Sequence, residues 1–355
     1  RRMSRCLNTS YCLEMCDGTC LRPGYDAFLS QKRREWVGDG ISNAALPAAM
    51  FDFQARLATW ALRKGRAAIF ADTGLGKTRM QLAWAANIPG RVLILAPLCV
   101  GPQTIAEAHA IGVDLDRVDV TNYERLHHVD PSRYAGVVLD ESSILKSFDG
   151  KTRGRLIGAF RETPYRLCCT ATPAPNDIAE LANHCEFLGI MTRTEMLATF
   201  FVHDDEGWRL KGHAHEAFYR WLASWGMFLR WPSDLGFSDE GYALPPLTIR
   251  DIVVPGAVAT GEYLFAGMGL GGIRGRLSAR RDSLKPRADA AIAFVESTPG
   301  PVIVWCGLND EQDAIANALG SECVSIAGGD DVDTKRERLE AFLRGSVRVA
   351  VSKPK

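Results

Sequence analysis

The stretch Ala67-Ala68-Ile69-Phe70-Ala71-Asp72-Thr73-Gly74-Leu75-Gly76-Lys77-Thr78 decides how the chain is read. It opens as a short apolar strand, Ala67 to Ala71, passes through a glycine-bearing loop, and enters a helix predicted over Lys77 to Ala86. Ala71 to Thr78 matches the phosphate-loop pattern, with Ala in the first position, and its strand-then-helix setting is the context the pattern needs. The glycines let backbone N–H groups curl around phosphate oxygens, and the helix N-terminus adds a positive partial charge. Thr73, Gly74, Leu75 and Gly76 would form the cradle for ATP. Lys77 would reach the β- and γ-phosphates, and Thr78 would ligate Mg²⁺.

Working outward, helix and strand alternate. Phe53 to Arg63 carries helical apolar spacing. Val92–Ala96, Arg117–Thr121, Gly136–Asp140 and Arg166–Thr170 are short continuous apolar runs. Such runs belong to a parallel sheet buried on both faces, so the expected class is α/β. The rhythm breaks over 191–250, where Trp208, Trp221, Trp225 and Trp231 fall, and Trp221, Trp225 and Phe228 are spaced as one helical face. A second α/β rhythm begins near Lys285, with strands at Val302–Trp305, Val324–Ile326 and Val347–Ser352. Helices are expected there at Asp310–Leu319 and Thr334–Arg344. Four segments follow from this: 1–24, Cys-rich; 25–190, a first α/β lobe; 191–284, a helical Trp-rich insertion and connector; 285–355, the start of a second lobe.

Asp140-Glu141-Ser142-Ser143 follows the strand Gly136–Leu139. An acidic pair at the carboxyl end of a buried strand suits Mg²⁺ holding by Asp140 and orientation or deprotonation of water by Glu141. Taken alone, a solvated acidic turn is the competing reading. Thr170-Ala171-Thr172-Pro173 ends the next strand, and alone it reads as a Pro-terminated strand end.

Six blocks then occur in order: Phe53-Gln54, Asp72 to Thr78, Leu95-Ala96-Pro97, Thr121-Asn122-Tyr123-Glu124, Asp140 to Ser143, and Thr170 to Asn176. Together they resemble superfamily-two helicases and translocases of the Swi/Snf-like branch, and the DESS form with Lys146 downstream resembles phage and prophage members. The resemblance implies tandem RecA-like lobes with ATP and Mg²⁺ between them. It makes Gln54 the reader of adenine, Thr170 and Thr172 the coupling hydroxyls, and Pro97, Thr121, Asn122 and Tyr123 contacts to a DNA backbone. Trp36 could stack on the base or pack as a core residue, the latter being favoured. The segment after Val302 resembles the opening of the second lobe, which is expected to be incomplete, with the arginine finger beyond Lys355. The chain is read as a fragment that binds ATP and hydrolyses it poorly.

Net charge gives no argument for or against nucleic acid, since 42 Lys and Arg face 42 Asp and Glu. Arg274, Arg276, Arg280, Arg281, Lys285 and Arg287 form a local basic cluster that either meets phosphates or solvates a connector. Cys6, Cys12, Cys16 and Cys20 are separated by five, three and three residues. They either hold Zn²⁺ or an iron–sulfur cluster or belong to a disordered tail; no C-x-x-C pair occurs. His213 and His215 read as a solvated helix start. No membrane span or secretory signal is expected, so the compartment is read as cytoplasmic, the host's if the gene is a phage's. The leading expectation is an ATP-dependent DNA translocase or helicase, with RNA an open alternative to DNA. A nucleotide-switched binding module with little turnover competes, as does a small-molecule phosphotransferase.

Overall fold

The computed structural model describes residues 35–98, 100–146, 150–205, 207–243, 245–254 and 280–354. Cys6, Cys12, Cys16, Cys20, Arg274 and Arg276 lie outside the described residues. Compactness divides the chain into two units. One runs to Leu93 and takes in Ile111–Val118 and Asp130–Ser238; the other holds Ile94–Ala110, Asp119–Val129 and the chain from Asp239.

The α/β class holds. Helix α1 (Asp52–Lys64) leads into β1 (Arg66–Ala71), and α2 (Lys77–Asn87) into β2 (Val92–Ala96). Then come α3 (Gly101–Ile111), β3 (Val118–Asn122), β4 (Gly136–Asp140), α4 (Lys151–Ala159) and β5 (Tyr165–Cys169). Two further helices, α5 (Leu181–Leu188) and α6 (Arg193–Phe200), precede a hairpin of β6 (Phe201–Asp204) and β7 (Gly207–Leu210). Helix α7 (His215–Ala223) and strand β8 (Gly226–Leu229) follow. The six-stranded sheet has the order β3-β2-β4-β5-β1-β8. The β1–β5, β4–β5 and β1–β8 pairs are parallel, with Asp140 and Ile69 both opposite Cys169.

Parallel strands covered by helices lose their polar face, which is why β1, β2, β4 and β5 read as unbroken apolar runs. Burial of their side chains is the main stabilising term, at about 25 cal/mol per Å² of apolar area. Ala67–Ala71, Val92–Ala96 and Val137–Leu139 are all buried, and α1 and α2 pack on each other beside them.

One expectation is corrected here. Trp221, Trp225 and Phe228 do not share a helix: α7 stops at Ala223, and Phe228 lies in β8, the sixth strand of this sheet. Ser224 closes the helix by donating its Oγ hydrogen to Trp221 O (2.6 Å). Gly226 then passes where a Cβ would meet the Phe70 ring at 3.3 Å and Leu222 O at 3.4 Å. Trp221 and Trp225 are buried, as a packed role requires, whereas Trp208 sits on the hairpin.

The second unit carries a parallel three-stranded sheet, β10 (Cys323–Ile326), β11 (Val349–Ser352) and β9 (Val302–Trp305), in that order. Helix α8 (Leu284–Ser297) and helix α9 (Asn309–Leu319) supply Ala288, Val295 and Ile315 to its core, with Val349 and Val351 from β11. Helix α10 (Val332–Leu343) packs on β10 and β11. Within the basic cluster Arg287 is occupied: it pairs with Glu311 and donates to Arg280 O at 2.6 Å. No helix among the described residues is long and apolar enough to cross a membrane.

Candidate functional site

The loop between β1 and α2 is built around two left-handed glycines, Gly74 at φ 82° and Gly76 at φ 76°. A side chain at either would be strained, so the loop can close tightly only with glycine there. Gly76 is the N-cap of α2, and its carbonyl accepts from Arg79 N (3.1 Å) and Met80 N (3.4 Å); the N–H groups at a helix start lack partners within the helix. The Lys77 ammonium folds back over the loop and donates to Ala71 O (3.0 Å) and Asp72 O (3.2 Å). Thr73 N donates to Asp72 Oδ1 at 2.7 Å, which shapes the turn, and Thr78 lies half-buried on the first turn of α2.

Gln54 reaches this loop from α1. It is 2% exposed; Nε2 donates to Leu75 O (3.0 Å), and Oε1 accepts from Phe51 N (3.2 Å). A Cβ on Gly76 would stand 2.3 Å from that Nε2. Gln54 is therefore a strut under the phosphate loop. Its carboxamide keeps one hydrogen and one lone pair unspent in these two bonds.

Trp36 lies at the other end of β1. Its Nε1 donates to Lys64 O (3.3 Å), and Arg66 sits 5.7 Å from its ring centroid. A six-residue strand is about 20 Å long, so Trp36 does not stack on a base bound at the loop. The favoured packing reading is the one its contacts support.

Asp140 closes β4, two strands from β1 in the same parallel register. It is buried, and Oδ1 accepts from Gln81 Nε2 at 2.6 Å. Gln81 stands one turn along α2 from Lys77, so the helix that follows the phosphate loop also holds the acid. Burial pushes the Asp140 carboxyl above its usual range; the Gln81 bond and Lys77 oppose that, and Glu141 adds to it. Glu141 takes φ 51°, a left-handed conformation rare for a side-chain-bearing residue. Its Oε2 accepts from Thr170 Oγ1 (3.0 Å), and Thr170 Oγ1 accepts in turn from Thr172 N (3.1 Å). Acid, threonine and the turn at Thr172 thus form one hydrogen-bonded chain across β4 and β5.

Three supports of this site carry no contiguous sequence signal. His184 on α5 is fully buried, 3.1 Å by Nε2 from Ser142 Oγ and edge-on to Phe70 at 5.3 Å. Burial lowers its pKa to about 4, so the ring is neutral. Asn183 donates to Leu145 O at 2.7 Å and fixes the turn after the acids. Glu180 grips Asn176 through Nδ2 (2.8 Å) and its backbone N (3.3 Å), which pins the loop after Pro173.

Pro97 follows β2, and Thr121 and Asn122 close β3. Asn122 Oδ1 accepts from Arg125 N at 3.0 Å, capping the turn that Tyr123 begins. His213 and His215 are exposed at the start of α7, as a solvated helix entry requires. Among the described residues no group of three or more His, Cys, Asp or Glu side chains is placed to hold a metal.

No protein-family model matches the chain, and no curated protein matches it. Among solved structures, the SWI2/SNF2 ATPase core of Sulfolobus solfataricus in complex with dsDNA is similar at 15% identity and a TM-score of 0.46. That match covers 89% of this chain and 80% of that one. The UvsW helicase of bacteriophage T4 is similar at 15% identity and a TM-score of 0.33, over 47% of this chain and 65% of its own. A second T4 UvsW structure gives 11% identity and a TM-score of 0.33, over 87% of this chain and 59% of that one.

Proposed function

We propose that the chain binds Mg²⁺·ATP on the loop from Ala71 to Thr78 and belongs to a nucleic-acid-dependent ATPase, an ATP-driven DNA translocase or helicase. One observation carries the reading. The phosphate loop, the acid pair and the Thr170–Thr172 turn all leave the carboxyl ends of neighbouring parallel strands, β1, β4 and β5. Ligands of open parallel sheets bind at that edge. In this reading Lys77 leaves Ala71 O and Asp72 O for the β- and γ-phosphates. Thr78 and Asp140 hold Mg²⁺, Glu141 orients water, and Gln54 offers its remaining hydrogen and lone pair to adenine. The bond from Thr170 to Glu141 would pass the hydrolysis state to the Thr172 turn. Pro97, Thr121, Asn122 and Tyr123 are the proposed backbone contacts, which position a strand without reading its sequence. The two sheets are proposed as RecA-like lobes of a Swi/Snf-like, phage-type member.

The test is nucleotide binding and ATPase with and without DNA, on this chain and on Lys77→Ala. Binding should be present and fall at least about a hundredfold in the variant, the loss of charge-assisted phosphate bonds worth roughly 3 kcal/mol. Equal binding by both proteins would remove the ATP site. Binding without DNA-stimulated turnover, in a chain that carries a complete second lobe, would favour the nucleotide-switched module instead, and a phosphorylated small-molecule product would favour a phosphotransferase.

A further inference from the structure

At the amino ends of β1 and β5, opposite the phosphate loop, the first unit carries an open hollow of about 460 Å³. Three guanidinium-bearing residues line it: Arg66 from β1, Arg161 from the turn before β5, and Arg166 from β5. Arg166 is only 4% exposed. Its Nη atoms donate to Phe187 O (2.6 Å) and Arg161 O (3.1 Å), and its Nε has no partner. Arg66 is anchored by Nε on Pro164 O (3.1 Å) and by the Trp36 ring.

The two guanidinium groups converge. A Cβ placed on Gly189 would stand 2.9 and 3.1 Å from the Nη atoms of Arg166 and 3.2 Å from Arg66 Nη1. Gly189, at φ 66°, leaves that space open to both. Like charges brought together in a part-buried wall repel, and none of the three arginines forms an ion pair among the described residues. The two carboxylates of the lining are committed elsewhere. Glu195 Oε2 accepts from Thr192 N and Oγ1, and Glu186 lies 3.8 Å from Arg153. Burial, with Arg66 adding to it, lowers the Arg166 pKa to about 10, against the opposing pull of Cys168 and Glu162.

We propose that this hollow is an anion site, distinct from the phosphate loop, that takes a small phosphate-bearing molecule between Arg66, Arg161 and Arg166. Two converging guanidinium forks, with Arg161 on the same lining, suit a tetrahedral dianion, which accepts several charge-assisted bonds at once and offsets the repulsion between them. The volume exceeds that of phosphate alone and fits a small phosphomonoester.

The test is calorimetric titration of inorganic phosphate into the Lys77→Ala chain, which disables the phosphate loop, compared with the same chain carrying Arg66→Gln or Arg161→Gln. Arg161 is exposed, so its replacement leaves the core intact. One site is expected, weakened at least about tenfold by either substitution, the loss of one charge-assisted bond. Absence of binding tighter than about 10 mM, or binding that both substitutions leave unchanged, overturns the proposal. So does binding of citrate in place of phosphate, which would mean a carboxylate site.

Discussion

Gln81 holds Asp140, and that bond sets a conflict between stability and chemistry. The Gln81 amide donates to it inside the protein, yet burial still raises its pKa above that of the unfolded chain. As pH rises past the unfolded value, the unfolded chain releases its proton first. Stability therefore falls with pH until the folded carboxyl has ionised as well. Asp140→Asn keeps an acceptor for Gln81 and cannot ionise. The nucleotide-free variant is expected to melt about 2–4 °C higher near neutral pH, an effect of about 1 kcal/mol, and no higher at about pH 3. Hydrolysis should be lost. A melting gain of equal size at both pH values would mean that ionisation of Asp140 is not its source.

At the scale of elements, the junction of α1, the phosphate loop and α2 is one mechanical piece. Gly76→Ala forces a Cβ against Gln54 Nε2 and strains a left-handed backbone, and should destabilise by about 1–3 kcal/mol. Adding Gln54→Ala removes the contact and leaves the backbone strain. The double variant should therefore fall short of the sum of the two single losses by roughly 0.5 kcal/mol or more in denaturant unfolding. Strict additivity would show that the two residues do not touch in solution. Strands that lie inside the sheet were legible to within a residue, because burial on both faces selects mostly apolar side chains, with Arg166 at the amino end of β5 an exception. Strand β8 was not legible. Trp221, Trp225 and Phe228 repeat at helical spacing by coincidence, across a helix end set by Ser224 and a close approach set by Gly226.

For the whole molecule, legibility followed contiguity. The phosphate loop, Asp140-Glu141 and Thr170–Thr172 each occupy a few adjacent residues and could be read directly. Their supports could not. Gln81 lies 59 positions from Asp140, and His184 lies 42 from Ser142, so only the folded chain pairs them. The arginine hollow was missed for the same reason, since Arg66 and Arg166 meet only after β1 and β5 align. Cys168 and Cys169, side by side on β5 between the acid strand and the phosphate-loop strand, give this core a built-in clock. Both thiols are free and buried, and burial pushes their pKa up, so neither forms the reactive thiolate in the closed fold. Alkylation followed by peptide mass spectrometry should mark half-buried Cys323 early and these two only when the central sheet opens. Bound nucleotide should slow their marking, while prompt labelling of both in the native protein would mean that the sheet opens freely.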